Sequence, residues 1–441
     1  MRSSRKVLRA SAAIAGLTLA SLSLAACSGG SSSDTKEGKV EISWLTPNDE
    51  VTVKLSKAMV EAFQKQNPNI TVNLETQPGG TEGDNLLKTK LATGEVSDVF
   101  YYNSGSLFQA LNPDATMVNL SDEAWVKDLT DDYKRVVSTD KGLYGAPITT
   151  SRVGGMVYNK KVFSDLGLKV PTSWNELVKV AEVIKAEGGI TPVGQAYGDS
   201  WTSQLMILAD FANINSADKD WAEKYTAGKA KFADEPALDG FKHLEAANKA
   251  GLFNENFASA TNAQVIKGVG DGTIAMYPML SDAVLATLAQ NSPEAVKNVG
   301  IFALPADDSS KTALTVWQPN SVYISKAAEG DKLDASKKLI SFINSKDGCT
   351  VQNAQITAAG PYVTSACTVP SDAAPMVADI QKYFDSGETA PALEFLSPVK
   401  GPNLENIAVA VGSGITSAQD GARQYDEDVK KQAQQLGLSG W

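Results

Sequence analysis

The sequence predicts an α/β fold, and three observations support this prediction. Strand-like segments alternate with amphipathic helical segments between residues 39 and 102. The strand-like segments are short and apolar, which is typical of a sheet that helices cover on both faces. The chain has 441 residues, too many for one typical hydrophobic core, so we expect two domains. The same order of elements is typical of α/β enzymes and does not by itself indicate a function.

The first elements follow from the spacing of apolar residues. Alternating apolar and polar residues predict a strand over 39–45. Apolar residues three and four positions apart predict a helix over 53–66, which Asn67-Pro68 terminates. A second strand is predicted from residue 70, a second helix over 84–93 and a third strand over 98–102.

Three later segments carry local signals. Ser173-Trp-Asn-Glu176 has the spacing of a capping box and predicts the start of a helix, which Gly188-Gly189 would end. Residues 336–344 are amphipathic and predict another helix. The run Gly268-Val-Gly-Asp-Gly-Thr273 lacks the lysine of a phosphate-binding loop, so we expect a turn there.

The N-terminus has the composition of an export signal. Residues 1–26 join a basic start to an apolar stretch of small residues, which is shorter than the roughly 20 apolar residues of a membrane-spanning helix. Leu24-Ala-Ala-Cys27 fits the lipobox of bacterial lipoproteins, which predicts that Cys27 is lipidated and begins the mature chain. Two acyl chains would anchor it stably, and residues 27–38 have the composition of a flexible linker. The alternative is an ordinary secretory signal in which the cysteine is incidental.

The two remaining cysteines are expected to pair. Cys349 and Cys367 lie 18 positions apart in a chain predicted to be exported, and cysteines usually bond in oxidising compartments. The bridge would close a loop and stabilise the fold by roughly 3 kcal/mol in the chain-entropy model. The alternative is two buried free thiols.

Charge and composition exclude several classes of function. The net charge is −11, and about −15 once residues 1–26 are removed, which argues against binding nucleic acid. His243 is the single histidine, and it lies in a helix-like segment where a structural role is expected. A Ser-His-Asp triad would depend on it, and several His or Cys ligands for zinc are not available. We therefore expect a binding protein without metal or cofactor, although paired carboxylates of a glycosidase are not excluded by composition.

Several short motifs occur in this sequence in a characteristic order. They are Phe63 to Val72 at the first helix-to-strand junction, Leu143-Tyr-Gly-Ala-Pro147, Met156-Val-Tyr-Asn-Lys160, Pro171-Thr-Ser-Trp-Asn-Glu-Leu177, Gly189-Ile-Thr-Pro192 and Gly272-Thr-Ile-Ala-Met-Tyr277. In order and spacing they resemble the family 1 extracellular solute-binding proteins, the lipid-tethered receptors of carbohydrate-importing ABC transporters. The resemblance runs from about Val40 to the C-terminal helix.

The resemblance implies a two-lobed α/β fold of the type II periplasmic-binding-protein kind, with a ligand cleft between the lobes. By this analogy the first lobe comprises residues 39–150 and 319–360, and the second comprises residues 151–318 and 361–441. The chain would cross between the lobes three times, near residues 149–154, 317–320 and 360–362. Small residues, Gly and Pro at these crossings suit a hinge.

The resemblance also implies a function. The protein would capture a carbohydrate, an oligosaccharide in particular, and deliver it to the membrane permease subunits of an ABC importer. It would be a monomer on the outer face of the bacterial cytoplasmic membrane, held there by the lipid on Cys27.

Candidate ligand-binding residues follow from the chemistry of sugars. Their sites combine flat aromatic surfaces with side chains that hydrogen-bond hydroxyl groups. Ligands of α/β sheets lie beyond the carboxyl ends of strands, and polar loops and crossings adjoin such places. The candidates are Trp44, Glu50, Tyr102, Asn103, Ser104, Arg152, Trp201, Tyr277, Trp317, Gln318 and Tyr362. For each aromatic residue the alternative is packing in a core, and for Arg152 it is a salt bridge between the lobes.

Two other functions stay open from the sequence. One is binding of a polyol or a glycerol-phosphate-type solute; a phosphate-bearing ligand would require a cluster of Arg and Lys near strand ends. The other is an exported glycosidase, which would place two carboxylates about 5–10 Å apart across the cleft.

Overall fold

A computed structural model of the chain describes residues 38–441. The predicted signal segment 1–26, the lipidation site Cys27 and nearly all of the predicted linker 27–38 lie outside the described residues. No helix within the described part of the chain is long and apolar enough to cross a membrane.

The described region contains both strands and helices. The strands are β1 (Val40–Pro47), β2 (Ile70–Gln77), β3 (Val99–Tyr102), β4 (Ser138–Thr139), β5 (Gly142–Leu143), β6 (Ala146–Pro147), β7 (Arg152–Asn159), β8 (Thr191–Val193), β9 (Ile274–Leu280), β10 (Val299–Phe302), β11 (Leu314–Trp317), β12 (Ser321–Ile324) and β13 (Thr389–Pro391).

The helices vary in length from one turn to five. They are α1 (Glu50–Gln66), α2 (Gly80–Thr93), α3 (Ser106–Gln109), α4 (Pro113–Thr116), α5 (Asp131–Val136), α6 (Lys160–Asp165), α7 (Trp174–Glu187), α8 (Leu205–Leu208), α9 (Phe211–Ala217), α10 (Trp221–Thr226), α11 (Asp239–Lys249), α12 (Asn262–Asp271), α13 (Ser281–Asn291), α14 (Gly330–Ile343), α15 (Lys346–Gln355), α16 (Pro375–Ser386), α17 (Leu404–Gly412) and α18 (Ala418–Gln435). Short 3-10 helices span Ala124–Asp128, Ser200–Gln204, Pro293–Asn298, Ser309–Lys311 and Leu393–Phe395.

The first lobe is built on a five-stranded sheet in the order β2-β1-β3-β12-β6. Strands β1, β2 and β3 are parallel, and β12 runs antiparallel to both of its neighbours. Apolar side chains of α1 and α14 pack on this sheet, where the Phe63 and Phe342 rings lie 5.8 Å apart. This confirms the predicted α/β architecture for the first part of the chain.

The second lobe is built on a mixed sheet in the order β13-β11-β7-β9-β8, with β10 also paired to β7. Alternate residues of the central strand β7 enter different cores because successive side chains of a strand point to opposite faces. Met156 and Tyr158 pack with the helices α7, α11, α17 and α18, whereas Val153 and Val157 pack with α12, α13 and α16. Both faces of this sheet are therefore buried.

Helix boundaries depart from the sequence predictions where a cap sets the start. Helix α1 begins at Glu50, three residues earlier than expected, because Asp49 Oδ1 accepts a hydrogen bond of 2.9 Å from Thr52 N. At α7, Ser173 Oγ accepts a hydrogen bond from Glu176 N, as predicted. The Glu176 carboxylate accepts a hydrogen bond of 2.8 Å from Thr172 N.

The turn predicted for the glycine-rich run is wrong. Gly268 to Asp271 belong to α12, which Thr261 and Gln264 start with a capping box and Gly272 ends at a φ of +83°. A Cβ on Gly270 would lie 2.8 Å from Leu288 Cδ2. This glycine therefore allows α12 to pack closely on α13.

The chain passes between the sheets at residues 148–151 and again at residues 318–320. The sequence predicts crossings near residues 149–154 and 317–320. Thr149 in the first crossing has a φ of +75°, which is unusual for a β-branched residue.

The third crossing lies further along the chain than predicted. Residues near 361 contact the first crossing, where Ser151 N donates to Pro361 O. The chain then returns to the first lobe: Val363 packs in its core and Thr130 N donates to Val363 O. A disulfide joins Cys367 to Cys349 of α15, with Cα atoms 5.4 Å apart. The crossing therefore follows Cys367, and residues 363–367 belong to the first lobe rather than the second.

Candidate functional site

A cavity of about 300 Å³ lies between the two lobes. It is lined by α2, the loop after β3, α3, the start of β7, the second crossing, the segment after β13 and the end of α18. The lining residues are Lys88, Asn103, Ser104, Ser106, Leu107, Ala110, Arg152, Gln318, Asn320, Glu394, Phe395, Pro398, Lys400, Gln432 and Leu436. Volumes of this order are at the small end of the range of ligand pockets.

Four of the predicted ligand residues meet at this cavity. They are Asn103 and Ser104 after β3, Arg152 at the start of β7 and Gln318 in the second crossing. The rule that ligands lie beyond the carboxyl ends of strands selected two of them, and the expected crossings selected the other two.

Hydrogen bonds fasten the second crossing to the end of β3. Ser104 Oγ donates to Pro319 O at 3.0 Å, and Asn320 Nδ2 donates to the Tyr101 hydroxyl at 3.0 Å. Burial raises the pKa of the Tyr101 phenol, so its hydroxyl stays neutral as an acceptor. These bonds hold the floor of the cavity in place across two distant segments of the chain.

Arg152 reaches the cavity from the start of β7. Its side chain is 24% exposed, and its Nε lies 3.6 Å from Asp282 Oδ2. Asp282 belongs to α13 of the same lobe, so this ion pair is not the salt bridge between lobes that was the alternative for Arg152. The Arg152 guanidinium makes no hydrogen bond within residues 38–441.

Gln318 offers an unpaired acceptor. The residue is buried, and its Oε1 has no hydrogen-bond partner within the described part of the protein. A buried amide oxygen without a donor costs free energy, and a ligand hydroxyl in the cavity could supply the donor.

The second lobe contributes a wall that the sequence did not reveal. Phe395 and Lys400 follow β13, a strand of three residues that ends in proline and carries no clear strand signal. The Phe395 ring packs on Gly105 of the first lobe, where an added Cβ would lie 2.6 Å from Phe395 Cδ1. Gly105 has a φ of +73°, so both its conformation and this contact favour glycine. The two lobes therefore touch at this edge of the cavity.

Two predicted aromatic ligands are core residues instead. Trp44 is fully buried among the apolar residues of the first lobe, and its indole has no surface to offer a ligand. Tyr277 is fully buried in the second lobe, where its hydroxyl donates to Asn262 Oδ1 at 3.0 Å. For both, packing in a core is the correct alternative.

Three further aromatic candidates lie near the crossings without lining the cavity. Trp317 is buried against Gly154 and borders a smaller apolar cavity, which shares Glu394 and Lys400 with the larger one. Tyr102 is buried in the first lobe, where burial and the Asp84 carboxylate raise its pKa.

Tyr362 lies beside α15 at the back of the crossings. Its hydroxyl donates to Asn353 Oδ1 at 2.8 Å, and burial raises its pKa to about 12. The remaining two candidates are exposed outside the cavity. Glu50 begins α1, and Trp201 lies in the 3-10 helix after β8 with 37% of its surface exposed.

The family of the chain follows from comparison with known proteins. The family model described as "Bacterial extracellular solute-binding protein" matches residues 49–348. The chain belongs to this family. Members of this family bind solutes outside the cytoplasm.

Individual relatives in this solute-binding family are moderately similar. The "Multiple sugar-binding protein" of Streptococcus mutans serotype c is 28% identical over 335 residues, covering 75% of this chain and 76% of that protein. The "Melibiose/raffinose/stachyose-binding protein MelE" of Bacillus subtilis is 21% identical, covering 96% of this chain and 97% of that protein. A solved "Chitin oligosaccharide binding protein" superposes with a TM-score of 0.75 at 23% identity, covering 90% and 99% of the two chains. That similarity shows the shared two-lobed fold.

Proposed function

We propose that this solute-binding protein captures a carbohydrate, an oligosaccharide in particular, and delivers it to the permease subunits of an ABC importer. The observation that carries this proposal is the cavity between the lobes, where polar side chains from both lobes and from the second crossing converge. Asn103, Ser104, Gln318 and Asn320 present amides and a hydroxyl, which are suited to pairs of sugar hydroxyls. Relatives named for sugars support the same substrate class.

An apolar surface accompanies these polar groups. Phe395 lines the same cavity and is only partly buried, so one part of its ring can pack against the C–H face of a sugar. Trp201 and Glu50 are exposed outside the cavity. We propose that both contact a ligand that extends beyond the cavity.

Screening against saccharides tests this function. Raffinose, stachyose and chitin oligosaccharides belong in the panel, and a bound ligand raises the melting temperature because only the folded state binds it. Replacing Gln318 by methionine removes the amide at similar size, and we expect about a tenfold loss of affinity, the equivalent of one buried hydrogen bond. Calorimetry of Gln381→Met, the same change at an exposed site on α16, is the control.

Two results would contradict the proposal. One is a panel in which no saccharide stabilises the protein. The other is a ligand that binds Gln318→Met as tightly as the wild type, which would place binding elsewhere. Release of reducing ends from a bound glycan would instead favour the glycosidase.

We also propose that Cys27 carries the lipid that holds the protein at the outer face of the cytoplasmic membrane. The lipobox ending at Cys27 supports this proposal, since two acyl chains suffice for stable anchoring. Cys27→Ser cannot accept the thioether-linked lipid, so it should be secreted or left unprocessed. Membrane fractionation with labelled palmitate measures this; processed Cys27→Ser protein in the membrane fraction would contradict it.

A further inference from the structure

Basic side chains concentrate around the cavity. Lys88 comes from α2, Arg152 from the start of β7 and Lys400 from the segment after β13, so two lobes and three elements contribute. Glu394 is the single carboxylate among the residues that line the cavity. The whole chain carries a net charge of −11, so the cavity has the opposite sign to the molecule around it.

The described carboxylates only partly neutralise these three cations. Lys400 Nζ lies 3.9 Å from Glu394 Oε2, too far for a hydrogen bond. Arg152 Nε lies 3.6 Å from Asp282 Oδ2, and its guanidinium makes no hydrogen bond within residues 38–441. Lys88 is exposed and makes no ion pair within residues 38–441. Donor groups with positive charge are therefore left over at the cavity.

A neutral ligand would not use this charge. Closing the cavity over it would remove water from Arg152 and Lys400 without supplying a counter-charge, and desolvating an unpaired charge is unfavourable. An anionic group would receive charge-assisted hydrogen bonds, which are stronger than neutral ones, and a guanidinium can bind a carboxylate or phosphate through two parallel bonds.

We infer that the ligand of this cavity is a polyhydroxylated molecule that carries an anionic group. The inference rests on the proposed function, since it names the charge class of the captured solute. The amides of Asn103, Gln318 and Asn320 bind its hydroxyl groups, while Lys88, Arg152 and Lys400 bind the anion. Uronic acid saccharides carry this group as a carboxylate, and sugar or polyol phosphates carry it as a phosphate ester. The Arg and Lys cluster required for an anionic solute is thus assembled from segments far apart in the sequence.

Calorimetry with matched ligands tests this inference. The panel pairs uronic acid oligosaccharides with their neutral parents and sugar or polyol phosphates with the unphosphorylated compounds. We expect the acidic member of the bound pair to bind at least tenfold more tightly, and its affinity to fall as salt is raised from 50 to about 500 mM because salt screens charge. Preference within the uronate pairs or the phosphate pairs identifies which anion is recognised.

Charge-neutral variants locate the effect. The double variant Lys88→Gln and Lys400→Gln should lose most of the preference for the acidic ligand over its neutral parent. Lys90→Gln with Lys430→Gln changes the net charge equally at positions that do not line the cavity, and it should keep the preference.

The possible outcomes distinguish failure of the anionic-ligand inference from failure of the proposed carbohydrate capture. A neutral saccharide that binds as tightly as its acidic counterpart would overturn the anionic ligand and leave carbohydrate capture standing. Equal loss of preference in both double variants would show that the cavity cations are not responsible and would also overturn it. Binding of neither acidic nor neutral compounds would overturn both proposals.

Discussion

The single histidine of the chain is a packing residue of the second lobe. The His243 imidazole is buried and stacks on the Trp174 indole, with ring centroids 3.9 Å apart and planes inclined by 12°. Its Nε2 lies 3.2 Å from Asp307 Oδ1. His243 does not line the cavity, so its place in the protein agrees with the structural role expected from sequence.

The buried carboxyl group of Asp210 lies near Asp307, the partner of His243. Asp210 is almost fully buried, and its Oδ1 accepts a hydrogen bond of 2.7 Å from Asn213 Nδ2. Burial raises the pKa of Asp210 well above its usual range, and the carboxylates of Asp239 and Asp307 raise it further. The group therefore holds a proton in the folded protein at pH values where the unfolded chain has released it.

We predict that Asp210→Asn makes the protein more stable at neutral and alkaline pH. Because the folded-state pKa of Asp210 is raised, the folded state binds the extra proton, and the free energy of unfolding falls as pH rises from about 4 through that pKa. Asparagine keeps the acceptor for Asn213 and cannot ionise, so this fall should be smaller in the variant.

Urea denaturation at pH 5 and pH 8 measures this effect. The exposed Asp122→Asn carries the same chemical change at the surface and should follow the wild type. A variant whose stability declines between the two pH values as steeply as that of the wild type would remove Asp210 as the cause.

At the scale of elements, a disulfide defines where the first lobe ends. Cys349 lies in α15 and Cys367 follows a segment that pairs with residues 128–130. The next helix, α16, packs in the second lobe. The bridge therefore anchors the chain just before the third crossing.

Removing this bridge should destabilise the fold. The sequence separation of 18 residues corresponds to roughly 3 kcal/mol of lost unfolding free energy in the chain-entropy model. We expect Cys349→Ala with Cys367→Ala to unfold at lower urea concentration than the wild type. Reductant should lower the wild-type midpoint and leave the variant unchanged; alkylation of both thiols in native, unreduced protein would contradict the bridge.

The elements show which parts of the fold the sequence could predict. The strands and helices of residues 39–102 carry clear periodicity and were predicted within a few residues. The faces of their side chains were not predicted, because both sides of a covered sheet are apolar and a shift of one residue reverses every side chain. Trp44 is predicted as a ligand contact from its place at the end of the first strand, but β1 continues to Pro47 and the indole points into the core. Asn103 and Ser104, which lie beyond a strand end, did not depend on a face.

The remaining parts of the cavity depend on contacts distant in sequence. Phe395 and Lys400 are about 290 residues from Asn103, and no local pattern indicates that they face it. Among the strands of residues 38–441, the preceding strand β13 pairs with β11 alone. Which of these residues face the cavity depends on how the two lobes pack in the folded molecule.

At the scale of the whole molecule, we predict that the two lobes move about their crossings. The crossings at residues 148–151 and 318–320 and the segment after Cys367 are short connections between separately built sheets. Thr149, with its positive φ, stores strain of about 1–3 kcal/mol at the first of them. Such places absorb the backbone changes of hinge closure.

Capture of a saccharide between the lobes predicts that the lobes close on it. A ligand that contacts both lobes binds the closed form better than the open one, and only this difference in affinity can shift the equilibrium between them. Small-angle X-ray scattering with and without a saturating saccharide measures the shift directly. We predict a smaller radius of gyration for the wild type with its ligand and no change with a sugar that does not bind. A saturating ligand that leaves the radius of gyration unchanged would contradict capture between moving lobes.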